Sequence, residues 1–358
     1  VTQVGQYLNF WTVIERKPYY LATEDIGSYF NMRDSAIYED FDVYIGARLP
    51  ANTNLTIAGA EQYLTGGDGQ ADPKLLHNSD GTILCQDNKI WLTMSIRGYG
   101  PIPASFQGIY SLDLETFEVE LVSTVISDKG DGVKRQYYAS DICYNPNTDE
   151  WYYITTSHGE DHKLYYGQFE EDPRNNKINE VKVSLLEYPS VSNEEDASLI
   201  YDEQSGKWRL AYCKNRGGYQ LQISESDSWN GPYTEIYTYE QTSCTGIMIQ
   251  KIYGKYWVFT GRGNDSYDVL TYPELEFVGN LQQDRTTGNS YNVWPVMLPL
   301  TIDGETKYFM LSFDRNQVDG VSGYSYGRLY LYEAEHPYCM RETQEIETED
   351  ILTAQIDM

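Results

Sequence analysis

The sequence has little positive charge. Its 358 residues contain 26 Lys and Arg against 54 Asp and Glu, which gives a formal net charge of −28. A field of that sign repels phosphate backbones and anionic lipid headgroups. We therefore expect neither nucleic acid nor a membrane as a partner of this chain.

Long hydrophobic runs and clustered metal ligands are missing as well. No apolar segment reaches the length of roughly 20 residues that spans a bilayer as a helix. The five cysteines form no Cys-x-x-Cys pair, and the His and Cys residues show no spacing typical of a metal site. We predict no disulfide scaffold and no metal site. The alternative is a structural calcium ion, because the Asp and Asn residues that could bind it are abundant.

Aromatic residues are plentiful, at 14% of the chain with 34 tyrosines, and turns rich in Gly, Asn and Asp recur throughout. This composition favours many short strands over helices. The chain begins at Val1 with neither an initiator Met nor a signal peptide, as in a processed protein. Together with the acidic, Lys-poor composition, this leads us to expect a secreted, periplasmic or cell-surface bacterial protein.

One unit repeats along the chain: a small apolar strand, a tight polar turn, and a second strand that opens on aromatic residues. Its six copies occupy residues 8–24, 79–95, 139–157, 196–213, 244–261 and 293–313. Antiparallel units at such a period are typical of β-propeller blades. We predict an all-β, single-domain β-propeller of five or six blades, with a β-sandwich as the alternative.

The domain boundaries follow from the repeats. The propeller is expected over residues 1–335, with residues 1–74 as either an N-terminal blade or an extension, and residues 336–358 as an acidic tail.

Polar residues recur at two positions of the unit. In a propeller, the start of each first strand and the end of each second strand lie at the same face, which we call the mouth. The first position carries His77, Asp80, Asp141, Glu195, Asp196, Thr245 and Trp294. The second position carries Arg97, His158, Arg216, Arg262 and Arg315. We predict that they line one binding funnel; salt bridges between neighbouring blades are the alternative.

These residue types indicate a carbohydrate ligand. Arginine binds carboxylates bidentately, and an aromatic ring such as that of Trp294 stacks on a sugar face. Carboxylic acids supply the general acid and base of glycoside hydrolysis. A basic funnel in an acidic protein would select an acidic sugar.

Two segments carry a family resemblance. DASLIYDEQSGKWRLAY and YASDICYNPNTDEWYYITTS resemble blades of the five-bladed propellers of glycoside hydrolase families 43 and 32. The resemblance implies an Asp base, a second orienting Asp and a Glu acid at the starts of inner strands. It implies Asp80 as the base and Asp141 as the second Asp. Thr245 stands where the acid is expected, so Glu195 or Asp196 would have to supply the proton.

The expected function is therefore an extracellular glycosidase-like enzyme that hydrolyses an acidic or branched oligo- or polysaccharide with paired carboxylates. The substrate would be held by His77, Arg97, His158, Arg216, Arg262, Trp294 and Arg315. Thr245 favours a first alternative, a non-catalytic propeller that binds a glycan or a partner protein. A second alternative is a polysaccharide lyase, in which His77 or His158 takes a proton and arginine neutralises a uronate.

Overall fold

The structure is a computed structural model that describes most of residues 1–334. The gaps are 16, 32–33, 35, 37–43, 45, 58, 60–68, 98–104, 192, 263–265, 282–292, 303–304 and 316–325. The described residues consist of strands and loops with one short 3-10 turn, Ile26–Ser28. None of them forms a helix that is long and apolar enough to cross a membrane. The expected acidic tail lies outside the described residues.

The N-terminal residues form a separate antiparallel sheet. Its three strands are β1 (Thr2–Val4), β2 (Tyr7–Ile14) and β3 (Lys17–Asp25), in that order. Within the described part of the chain, no strand of this sheet pairs with a strand of another sheet. The first predicted repeat is thus a hairpin, and its sheet stands apart from the others.

Five antiparallel units follow, which we call units I to V. Unit I contains β4 (Gln70–Leu75), β7 (Lys89–Ile96), β8 (Phe106–Asp113) and β9 (Val119–Asp128). Unit II contains β11 (Tyr138–Asn145), β12 (Glu150–Thr156), β13 (Leu164–Phe169) and β14 (Ile178–Leu185). Unit III contains β15 (Glu194–Asp202), β16 (Lys207–Asn215), β17 (Tyr219–Ser226) and β18 (Thr234–Thr238). Unit IV contains β19 (Cys244–Ile252), β20 (Lys255–Arg262), β21 (Ser266–Thr271) and β22 (Phe277–Leu281). Unit V contains β23 (Val293–Ile302), β24 (Glu305–Arg315) and β25 (Tyr326–Glu333).

Short strands link the first units. They are β5 (His77–Asn78), β6 (Cys85–Gln86) and β10 (Lys134–Arg135). Strand β5 pairs in parallel with β11, and β14 pairs in parallel with β9. Units I and II therefore share one eleven-stranded sheet, whereas units III, IV and V are separate sheets.

Apolar layers fill the spaces between successive units and close them into a ring. The layers take their buried side chains mainly from two neighbouring units, and the last layer joins unit V back to unit I. Representative pairs are Ile109 and Tyr153, Ile154 and Leu199, Ile223 and Val258, Phe259 and Met310, and Leu298 and Leu75. Burial of such side chains stabilises the ring by about 25 cal/mol per Å² of apolar surface.

The all-β prediction is confirmed, and four of the predicted hairpins coincide with the first two strands of units II to V. Unit I differs from its prediction. Its inner strand is β4, while the predicted copy at 79–95 begins in the loop between β4 and β7. The intervening residues interrupt the hairpin, which is why the tight-turn pattern misses the inner strand.

Candidate functional site

The inner strand of every unit is broken at the same place by a β-bulge. The register shifts between Ala71 and Lys74 in unit I and at corresponding pairs in the other four units. The residues that adopt positive φ at these bulges are Asp72 (56°), Ala139 (55°), Asp196 (65°), Gly246 (65°) and Trp294 (70°). A bulge re-aims one side chain out of the alternating pattern, so these five positions are structurally equivalent.

The bulges converge at one end of the ring, the mouth. Ala71, Ala139 and Trp294 pack in one apolar cluster. Trp294 also lies against Gly246, where an added Cβ would meet the indole Cγ at 2.3 Å. The left-handed backbone and this close approach together require glycine at position 246. The five units therefore bring their equivalent positions to one place.

Two of the five bulge positions carry carboxylates, Asp72 in unit I and Asp196 in unit III, and both are buried. Asp196 Oδ2 accepts hydrogen bonds from Thr245 Oγ1 at 2.7 Å and from the backbone N–H of Gly246 at 2.8 Å. Burial and the neighbouring Glu195 carboxylate raise the pKa of Asp196. Thr245 thus contacts an acid from the preceding unit.

A fully buried lysine lies among these carboxylates. Lys74 follows the bulge of unit I, and its ammonium donates to the backbone carbonyls of Asp196, at 3.0 Å, and Ala197. Its Nζ lies 5.3 Å from the centroid of the Trp294 ring. Burial lowers the pKa of Lys74, while the charges of Asp141 and Asp196 oppose this effect. The lysine connects unit I with unit III across the ring.

Asp141 and His77 lie deeper and contact each other. His77 Nε2 is 3.2 Å from Asp141 Oδ2, and the backbone N–H of Leu199 donates to the same oxygen at 2.7 Å. Both side chains are almost completely buried. The expected orienting Asp is therefore engaged by units I and III, and Ala139 occupies the bulge position of its own unit.

Asp80 lies at the opposite end of the ring from the mouth. The neighbouring Ser79 and Gly81 form backbone hydrogen bonds with Tyr144, Tyr201 and Lys251, near the far ends of β11, β15 and β19. Lys251 Nζ lies 3.1 Å from Asp80 Oδ2. Although burial opposes ionisation, hydrogen bonds from Thr82 and Lys251 lower the pKa of Asp80. The structure does not bring Asp80 together with the other predicted site residues.

The four arginines and the histidine predicted for the mouth do end the second strands there. Arg97 follows β7, and its guanidinium lies 5.6 Å from the centroid of the Tyr138 ring. Arg262 donates from Nε to the fully buried Asp268 at 2.7 Å. Arg216 lies 3.3 Å from Glu235. Arg315 is the last residue of β24, and its side chain lies outside the described part. Ion pairs within their own units engage Arg216 and Arg262, whereas the salt-bridge alternative predicted pairs between neighbouring units.

The remaining predicted residues, His158 and Glu195, lie together with a histidine that the sequence analysis missed. His158 follows β12, and its ring centroid lies 4.6 Å from that of His162. His162 Nε2 in turn lies 3.0 Å from Glu195 Oε2. The three side chains could hold a metal ion, because their ligand atoms all lie within 4.8 Å of one another.

Sequence reasoning missed Asp72 and Lys74 too, although a signal was present. QADPKLL and NEEDASLI place an Asp at the same offset before an apolar run. Aligning these two segments, instead of SDGTIL, would have found Asp72. The paired histidines stand four residues apart, a spacing that becomes meaningful only when Glu195 is known to lie beside them.

Solved structures share this fold. A thermostable family-43 glycoside hydrolase matches with a TM-score of 0.50 at 14% identity, over 76% of this chain and 92% of the other. A GH43 β-xylosidase/α-arabinofuranosidase from a compost microbial metagenome gives 0.52 at 13% identity, over 76% and 93%. A B. megaterium levansucrase variant gives 0.51 at 12% identity, over 75% and 83%. The resemblance to family-43 glycoside hydrolases is thereby confirmed for the fold.

No family model matches the sequence, and the search of curated proteins finds no match either. Function therefore has to be argued from the geometry of the site.

Proposed function

We propose that this chain is a five-bladed propeller, with units I to V as its blades, and an extracellular glycoside hydrolase that uses Asp72 and Asp196. One observation carries the proposal: these two buried carboxylates occupy the same bulge position in units I and III, at one end of the ring. Paired carboxylates are what most glycoside hydrolases use. The substrate is an oligo- or polysaccharide with acidic or branched units.

The roles follow from the family-like arrangement. Asp72, at the bulge of the first blade, takes the role of base that the sequence analysis assigned to Asp80. Asp196 is the proton donor, which was one of the two sequence-based candidates. Its hydrogen bonds from Thr245 and Gly246 hold the carboxyl group in one orientation, so the acid need not come from position 245.

The surrounding cations support an acidic sugar as the ligand. Arg97 and His158 both lie beside the Tyr138 ring, whose centroid is 5.3 Å from that of His158. A uronate carboxylate could pair with the Arg97 guanidinium. Burial and the neighbouring His162 lower the pKa of His158, so its neutral ring would contribute a hydrogen bond and not a charge. We assign Arg97 and His158 to substrate binding on this ground, with Arg216, Arg262 and Arg315 at the rim. Trp294, which the sequence predicted as a stacking ring, is instead buried against Gly246 and has a packing role.

The test is incubation with a panel of neutral and uronate-bearing oligosaccharides, followed by chromatography with ultraviolet detection. We expect saturated products from the wild type. Asp72→Asn and Asp196→Asn should each lower the rate by about 10²–10⁴-fold, with unchanged thermal unfolding as the control for folding. A wild-type rate in either variant would overturn the assignment of that residue.

Ala139 favours a second candidate, a propeller that binds glycans without cutting them. The bulge of unit II carries no carboxylate, whereas the resemblance implies three acids. This candidate predicts saturable binding and no product after long incubation. A lyase would instead release an unsaturated product that absorbs in the ultraviolet. Because His77 is buried against Asp141, His158 is the stronger candidate for the proton acceptor in that case.

A further inference from the structure

We propose that His158, His162 and Glu195 form a binding site for a transition-metal dication, with Zn²⁺ as the fitting ion. Two imidazoles and one carboxylate are a donor set that zinc accepts. The three ligand atoms lie within 4.8 Å of one another, and His162 Nε2 and Glu195 Oε2 are already 3.0 Å apart. Small side-chain rotations would bring all three to bonding distance of one ion.

The backbone holds the two histidines in place. They flank a tight turn in which the N–H of His162 donates to the carbonyl of Ser157 at 3.3 Å. His162 itself has a left-handed φ of 52°. Because this hydrogen bond closes the turn, binding of a metal ion would cost less conformational entropy than in a flexible loop.

A further bond joins this turn to the strand that carries the carboxylate. The N–H of Glu194 donates to the carbonyl of His162 at 3.0 Å, and Glu195 is the next residue of β15. The donors thus come from two neighbouring units whose relative position is set by the backbone. This is the preorganisation that a metal site requires.

The donor set also indicates which ions are excluded. Calcium and magnesium prefer oxygen ligands, and this cluster offers only one carboxylate. Imidazole suits zinc and the other late first-row dications. Three protein ligands leave one position of a tetrahedral ion open to water or to an oxygen of a bound molecule.

The proposed metal site lies next to the proposed carboxylate pair. Glu195 directly precedes Asp196, and His158 lies at the mouth beside Tyr138. A metal ion here would border the proposed carboxylate pair and could bind a hydroxyl or carboxylate group of the sugar. Metal binding itself needs only the three side chains, and it can be measured whether or not the protein hydrolyses a glycan.

The experiment uses the full chain without a histidine tag, stripped with a chelator and dialysed. Zinc chloride is titrated in by isothermal calorimetry, and cobalt chloride is added in parallel to record the visible absorption of a bound ion. We expect one equivalent of zinc to bind and to raise the unfolding temperature. His158→Ala and Glu195→Gln should each weaken binding by at least about tenfold.

The matched control is His336→Ala, which removes a histidine of the C-terminal segment and should bind zinc like the wild type. His158 is solvent-exposed and Glu195→Gln keeps the side-chain shape, so both variants should fold; circular dichroism checks this. The proposal is overturned if the wild type binds no zinc. It is equally overturned if the folded His158→Ala and Glu195→Gln proteins bind zinc as tightly as the wild type.

Discussion

His77 and Asp141 form a buried ion pair that joins three units of the ring. Their side chains lie 3.2 Å apart, and the second ring nitrogen, Nδ1, is 2.8 Å from the carbonyl of Asn78. Both nitrogens therefore face acceptors, which only the doubly protonated imidazole can satisfy. Since Leu199 also donates to Asp141, the pair connects units I, II and III.

Breaking this pair should destabilise the protein strongly. We expect Asp141→Ala to lower the free energy of unfolding by about 3–5 kcal/mol, because it leaves a buried imidazolium without its counter-charge. Urea denaturation measures the effect. Asp149→Ala, at an exposed turn of the same unit, is the control and should cost much less. A loss below about 1 kcal/mol would show that the pair contributes little.

The pair should also make stability depend on pH. Burial alone would lower the pKa of His77, and Lys74 acts in the same direction, but Asp141 outweighs both and raises that pKa. The stabilisation is therefore complete below the unfolded pKa of about 6.5 and is lost as pH rises through the folded pKa.

Urea unfolding of the wild type and of His77→Gln, from about pH 5 to pH 9, measures this dependence. The difference in unfolding free energy between the two proteins should shrink as pH rises. A difference that is constant, or that grows with pH, would contradict the assignment of the charged form.

Gly246 should tolerate no side chain. Gly246→Ala introduces a Cβ 2.3 Å from Trp294 Cγ and strains a backbone with φ of +65°. We expect a loss of about 2–4 kcal/mol, the sum of overpacking and left-handed strain. Gly254→Ala is a close control, since it has φ of +77° and open space around its added Cβ. Thermal unfolding of both variants separates the overpacking from the backbone strain. Equal losses of stability would mean that the contact with Trp294 adds nothing to the strain.

Asp80 should be dispensable for glycan cleavage. It lies at the end of the ring opposite to Asp72 and pairs with the partly exposed Lys251. Asp80→Asn should keep the wild-type rate and cost no more than about 1 kcal/mol of stability. The measurement is the oligosaccharide assay alongside Asp72→Asn. A large loss of activity in folded Asp80→Asn would restore the assignment made from the sequence.

Arg262 should stabilise the folded protein in the absence of any ligand. Its guanidinium pairs with Asp268, which also accepts hydrogen bonds from Tyr239 and Asn280. Because Asp268 is fully buried, Arg262→Ala should cost about 1–2 kcal/mol. Arg216→Ala, which breaks a more exposed pair with Glu235, should cost less. Chemical denaturation of both variants measures the two losses of stability. A larger loss in Arg216→Ala than in Arg262→Ala would contradict this account.

Much of the fold could be predicted from local patterns. In residues 139–157 and 196–213 an apolar run, a turn of Asn, Gly or Asp, and an aromatic-rich strand specify a hairpin within a few residues. The residues of the site were harder to predict, because the position of a side chain in the ring depends on strand register. In unit I the residues between β4 and β7 hide the strand pairing, so the sequence pattern points to Asp80, whereas the bulge of the inner strand lies at Asp72.

The sequence by itself determined that this chain is all-β, built from repeated hairpins, acidic, and cationic at the ends of its second strands. Those properties follow from side-chain periodicity and turn chemistry, which act over a few residues. Only the tertiary structure decided which residues meet. The alignment of Asp72 with Asp196, and the approach of His158 and His162 to Glu195, depend on contacts between units that are far apart in the chain. No local pattern encodes the distances between these residues, because they are set by the packing of whole units around the ring.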